Sequence, residues 1–399
     1  MALVLVAVHA AIARGLTPPA SGLRQSEPPS SRMEPLRNAL HADETAIAAT
    51  LLRLPNEGRD FLRTETRAFV VLSDAPADWT RRQAEVLERA RHQFDRFAAR
   101  LQPRAGDASV VHPLTSKLVC VLFQGHDDFR AFAAREDQVQ ALWVAGYYSA
   151  RANRVVFYND ETSDDYQRAR ATIEANEEKL RTWRAQAESA KKHGPGEKAM
   201  MLERAIAEAE ATVKSQRQRL ERQSVSFGTS KTIHEAIHLL SFNTGLQRRD
   251  ASYPFWVSEG LATTFEASDT GGSFGPGREG SKSSLSTWRD RASQLKARAD
   301  AGELEWEPMS AWIDRVAHHG GPAGQIEVDP ERAALGVEAS YARAAVLFDW
   351  LVRYRRAELS KYLGDLEARP IMNPKPGEHA QRFLEHFGDP DSIERRAFK

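Results

Sequence analysis

Thr232-Ile233-His234-Glu235-Ala236-Ile237-His238-Leu239-Leu240 decides how the rest of the chain is read, because it sets two imidazoles and a carboxylate on one short helical stretch. Residues four apart on an α-helix lie on one face, a turn apart, so His234 and His238 can aim two ring nitrogens at a single metal ion. Glu235 follows the first by one residue, about 100° round the axis. It is thereby kept off the metal but within reach of a water in an open coordination position. A catalytic zinc takes three protein ligands. Trp256-Val257-Ser258-Glu259-Gly260-Leu261-Ala262 offers the third, Glu259, 21 residues past His238. The expected cofactor is therefore Zn2+, held by His234, His238 and Glu259, with Glu235 as general base.

The flanks of both segments read as buried helices. Ile233, Ile237, Leu239 and Leu240 make the first apolar on its other faces. Pro254 prepares the start of the second, Ser258 is read as its N-cap, and Leu261, Ala262 and Phe265 form its apolar stripe.

Together, His234-Glu235-x-x-His238 and the run W-V-S-E-G-L-A-T-T-F-E around Glu259 resemble the gluzincin (peptidase MA-like) zinc metallopeptidases. The style is that of uncharacterised secreted bacterial members. The resemblance implies an α+β, zincin-like fold, with a small mixed-sheet lobe, a helical C-terminal lobe and the metal between them. It also implies zinc ligation by His234, His238 and Glu259 and a base role for Glu235. Glu266, which closes the second helical segment, is implied as a support for a ligand, the other reading being a solvated helix residue. An oxyanion donor from the helical lobe is implied too. Tyr341, read as the start of a helix, is the first candidate, with His318 and His319 next. An edge strand that binds extended substrate is expected at Gly146–Ser149 or Arg154–Tyr158.

Lys and Arg number 55 against 55 Asp and Glu, so no bulk attraction to nucleic acid or an anionic membrane is implied. With 399 residues and 41% hydrophobic content the chain can bury a large core. The single cysteine, Cys120, excludes an intramolecular disulfide and lies in an apolar strand, where a buried inert thiol is expected.

Residues 1–13 (MALVLVAVHAAIA) form an apolar run ending in Ala-Ile-Ala, which reads as a signal peptide and points to a secreted or periplasmic protein with no stable membrane span after processing. No Lys or Arg precedes that run. Residues 14–35, rich in Pro, Ser and Gly, read as a disordered linker. An N-terminal α/β lobe is expected over 36–162, with strands near Ala68–Leu72, Leu118–Phe123 and Arg154–Tyr158 and helices over Trp79–Leu101 and Asp127–Arg135. Over 163–222 the composition turns to Ala, Glu, Lys, Arg and Gln, with Ile173, Leu180 and Ala187, then Ile206, Val213 and Leu220, each spaced by seven. That spacing, broken by His193-Gly194-Pro195-Gly196, predicts an inserted antiparallel helical hairpin. It reads either as a partner-binding arm or lid, or as a solvated spacer. The active-site helices are assigned to 223–267, and a mobile Gly-rich loop followed by a helical lobe to 268–399.

Hydrolysis of a peptide or protein substrate by metal-activated water is the function these readings favour. The alternative is a catalytically inactive, zinc-stabilised scaffold that binds a protein partner through the hairpin. No G-x-M-E-N-like segment is present to anchor a free amine, which counts against an aminopeptidase. A metal-free interaction protein would require the whole motif to be accidental.

Overall fold

The computed structural model describes residues 40–55, 60–101, 111–139, 144–192, 196–277, 284–316 and 330–398. The expected signal peptide and linker, His318, His319 and residues 278–283 of the Gly-rich stretch lie outside these residues.

The chain is a mixed α+β structure built on one five-stranded sheet, in the order β1-β2-β3-β5-β4. Its strands are β1 (Leu62–Glu65), β2 (Phe69–Ser73), β3 (Leu118–Phe123), β4 (Gly146–Ser149) and β5 (Arg154–Tyr158). β2, β3 and β5 run parallel, and β1 and β4 pair antiparallel at the two edges. The three inner strands are apolar except at Ser73 and Arg154, because both faces of the sheet are covered. Phe69, Val71, Cys120, Leu122, Val155 and Phe157 point into the main core, whereas Val70, Leu72, Val119, Val121 and Val156 point into a second one. α1 (Glu44–Leu51) and α3 (His126–Asp137) close the second face through Ile47, Phe129 and Phe132. α2 (Ala77–Leu101), between β2 and β3, places Leu87, Phe94 and Phe97 in the main core.

Two sequence expectations change here. Arg154–Tyr158 is an inner strand, so β4 alone, of the two candidates, is at the edge. β1 was not anticipated: Leu-Arg-Thr-Glu has the polarity of a loop and is mostly exposed, as an edge strand tolerates.

After β5 come a 3-10 turn (Asp160–Thr162), α4 (Asp164–Lys192) and α5 (Glu197–Asn243). α4 packs along the first part of α5 through Ile173, Leu180, Ala187, Ile206 and Val213, a small core separate from the others. Arg217 to Glu177, Arg184 to Glu210 and Lys191 to Glu203 pair in antiparallel order along the arm. The boundary expected at 222 does not exist. α5 is one helix of 47 residues that carries both the arm and His234-Glu235-x-x-His238. Gly228 is the only glycine within it and costs a helix only about 1 kcal/mol. A Cβ there would lie 2.8 Å from Asp160 Oδ2, so the missing side chain lets the helix pass close to the end of β5.

The helical lobe is centred on α6 (Phe255–Phe265), buried at every residue. It lies between α5 and α9 (Pro330–Tyr354), beside α7 (Leu285–Asp300) and α8 (Met309–Trp312). α6 and α9 approach closely at Gly260, where a Cβ would stand 2.6 Å from Ala344 O. α10 (Arg356–Ala368), α11 (Glu378–Phe387) and α12 (Pro390–Ala397) complete the lobe. Trp256 of α6 packs against Tyr362, Phe383 and Phe387 from α10 and α11. Among the described residues no helix is long and apolar enough to cross a membrane.

Candidate metal centre

His234 and His238 lie on the buried face of α5, and α6 brings Glu259 to them. The three contribute a compact group of side-chain atoms able to hold a metal ion. Nε2 of His234 lies 3.2 Å from Nε2 of His238 and 3.2 Å from Oε2 of Glu259, and His238 Nε2 is 3.5 Å from that same oxygen. Metal–ligand bonds of ~2.0–2.1 Å in a tetrahedron give ligand–ligand edges of roughly 3.3–3.4 Å. The three atoms thus form one face of such a tetrahedron, with the donor types a borderline-soft divalent cation takes.

Burial and neighbouring charges shift each member of the group. Burial works against charge on Glu259, but His238 and His234 outweigh it and hold the carboxyl well below its ordinary range. Burial also works against a charged His234, yet bonds to Glu259 and Glu266 push its pKa up to about 10. Burial lowers His238, and Glu259 does not fully offset it. Without a cation, therefore, a proton on His234 occupies the space between carboxylates. A divalent ion would displace that proton, since an imidazole ligates when neutral.

Glu235, next to His234 in the chain, is outside the group but interacts with the charges of His234 and Glu259. Its Oε2 is buried and has no hydrogen-bond partner among the described residues. Burial, opposed by His234 and reinforced by Glu259, pushes its pKa up to about 8.

Glu266, immediately after α6, is 1% exposed and so is no solvated helix residue. Its Oε1 lies 2.8 Å from Nδ1 of His234, and its Oε2 accepts from Trp288 Nε1 at 3.2 Å and Ser230 Oγ at 3.5 Å. The ring's second nitrogen is thus committed to a carboxylate, which fixes the tautomer and turns Nε2 toward the other ligands. Trp288, on α7, was not anticipated. Nothing in its local sequence marks it, because its partner is 22 residues away and on another element.

Tyr341 is fully buried, its ring centroid 6.3 Å from that of His234 and 5.2 Å from that of Phe255. It lies within α9, not at its start, because the helix begins at Pro330. Ser258 is not an N-cap. It is inside α6, where its Oγ accepts from Gln247 Nε2 at 2.7 Å, and Pro254 occupies the cap position. β4 is at the sheet edge and packs on α5 through Tyr148, stacked on Phe242 at 5.2 Å, but all four of its residues are buried. The described part of the Gly-rich stretch is fastened at its far end. Gly277 N donates to Asp349 at 2.7 Å, Arg100 donates to Pro276 O at 2.9 Å, and Phe274 is 1% exposed.

A family model described as a protein of unknown function, DUF1570, matches residues 229–310. That span includes Ser230, His234, Glu235, His238, Glu259, Glu266 and Trp288 but not Tyr341. No curated protein and no solved structure matches the chain.

Proposed function

We propose that the chain is a zinc-dependent peptidase of the gluzincin type, acting on a peptide or protein substrate. One observation carries the reading: three donor atoms from two helices converge at tetrahedral spacing while the carboxylate of Glu235 is buried beside them with an oxygen unpartnered. A zincin-like arrangement is supported by the mixed sheet with its antiparallel edge strand β4 packed on the helix that bears both histidines.

His234, His238 and Glu259 would hold the ion, and zinc bound there supplies Lewis acidity toward water and a peptide carbonyl. Glu266 orients His234 through Nδ1. Glu235 takes the proton released from water and returns it to the leaving amine. Tyr341, buried against His234, is assigned to the developing oxyanion.

A second reading, the zinc-stabilised scaffold without activity, is favoured by burial. The side chains of His234, His238 and Glu259 are 4%, 6% and 11% exposed, which leaves a substrate little access in this conformation. Elemental analysis of the purified protein, with cleavage of a diverse peptide library by wild type and Glu235→Gln, separates the two. The peptidase binds zinc and cleaves, and Glu235→Gln keeps the zinc but loses at least ~10²-fold in rate. Zinc without cleavage by either protein supports the scaffold, and equal cleavage by both overturns the role of Glu235.

A further inference from the structure

We propose that Gln247 sets the spacing between the two ligand-bearing helices, as a positioning residue for the metal group; the inference rests on the metal-binding reading above. α5 ends at Asn243 and α6 begins at Phe255, so residues 244–254 join the helix of His238 to that of Glu259. A connection of that length does not by itself fix the offset of the two helices as closely as a metal site needs, since ligand distances must hold to within about 0.2 Å.

Gln247 spans that freedom. Its backbone N donates to Ser241 O at 3.0 Å, which fastens it to the last turn of α5. Its side chain then bridges the helices, with Oε1 2.6 Å from Ser241 Oγ and Nε2 2.7 Å from Ser258 Oγ. Ser241 Oγ also lies 2.9 Å from His238 O. Gln247 Oε1 can only accept, so the 2.6 Å contact takes the single hydroxyl hydrogen of Ser241. All three side chains are buried, Ser241 at 0%, Gln247 at 1% and Ser258 at 4% exposure.

The placement of the two ends gives the bridge its consequence. Ser241 lies three residues past His238 on the same helix, and Ser258 directly precedes Glu259. A displacement of α6 along α5 would therefore disturb the bridge and the 3.5 Å spacing of His238 Nε2 and Glu259 Oε2 together. An amide is suited to this task because it can accept from one hydroxyl and donate to the other at once.

The test uses the full chain stripped of metal, titrated with Co2+ for its d–d absorption and with Zn2+ against a chromophoric chelator. Three variants are compared with wild type: Ser258→Ala, Gln247→Leu and the triple Ser241→Ala/Gln247→Leu/Ser258→Ala. The triple variant removes every partner at once, so no buried polar group is left unpaired and its metal-free melting temperature stays close to wild type. It is expected to lose about 10–100-fold in Zn2+ affinity and to show an altered Co2+ spectrum. Ser258→Ala is expected to show a smaller change in the same direction. If the triple variant keeps wild-type affinity and spectrum, the bridge is only structural and the inference is overturned. If wild type takes up neither ion, the metal reading fails first and this inference with it.

Discussion

Nδ1 of His234 lies 2.8 Å from Oε1 of Glu266, a residue that follows the helix bearing Glu259. The two carboxylates that flank His234 therefore come from one short element, and its other nitrogen is 3.2 Å from Glu259.

Removing the carboxyl of Glu266 frees the His234 ring to rotate and to change tautomer. Glu266→Ala should lower Zn2+ affinity by about 10–100-fold, read by chelator competition. Glu266→Gln, which keeps an acceptor oxygen, should retain more of it. Equal affinities for wild type and Glu266→Ala would show that packing alone orients the imidazole.

Glu235 makes stability depend on pH in a direction that can be worked out. Its pKa rises from 4.5 to about 8 on folding, so the metal-free folded chain holds this proton more tightly than the unfolded one. The stabilisation from that proton is complete below 4.5 and is lost as pH climbs through about 8. Glu235→Gln cannot titrate there. In chelator-treated protein the variant should gain on wild type between pH 5 and pH 8, read as the difference in denaturant midpoints. A difference that is constant with pH would contradict the burial of an unpartnered carboxyl.

Gly260→Ala should force α6 away from α9. The new Cβ would stand 2.6 Å from Ala344 O and 3.1 Å from Phe348 Cβ, and a backbone carbonyl within a helix cannot turn aside. A loss of about 1–3 kcal/mol is expected, seen as a lower melting temperature. An unchanged value would mean that the helices separate at no cost.

The base of the arm and its outer part should respond in opposite ways. Lys231 donates to Asp160 and, at 3.1 Å, to Tyr158 O, with its ammonium 4.6 Å from the Tyr158 ring centroid. Lys231→Met leaves a buried carboxylate without its partner and should destabilise by about 3–5 kcal/mol, with Lys231→Met/Asp160→Asn recovering most of it. In contrast, joining Glu177 to Arg217 by a short Gly/Ser turn removes only the outer arm, whose core is its own. That deletion should leave melting temperature and metal content near wild type. A deletion that fails to fold would show that the arm is integral to the domain.

Much of the sheet could be read locally. The runs Ala68–Leu72 and Leu118–Phe123 are continuous β-branched and apolar stretches, and strands buried on both faces have that form. β1 lacks the pattern because an edge strand with exposed side chains needs no apolar period. The seven-residue spacing of the arm also carries its own explanation, since Ile173, Leu180, Ala187, Ile206 and Val213 form one cluster, with Leu202, Ala209 and Leu220 packed against it. Its lower end could not be read, because a helix leaves its neighbour and enters a domain core without any change of backbone geometry. Neither Gly228 nor the composition shift near residue 222 stops it.

By itself the sequence determined what depends on helical periodicity: two imidazoles one turn apart, a carboxylate beside them, and a second buried segment bearing Glu259. Those relations hold in any helix, because its rise and rotation are fixed. Tertiary structure alone decided the rest. It set the 3.2–3.5 Å spacings across two helices, buried Glu266 against His234 and Trp288, and placed Gln247 between Ser241 and Ser258. It also packed α9 closely on α6 at Gly260 and brought Tyr341, in the middle of α9, near His234. Such contacts join residues from different elements, and their distances follow from how whole helices pack, which no local pattern of residues records.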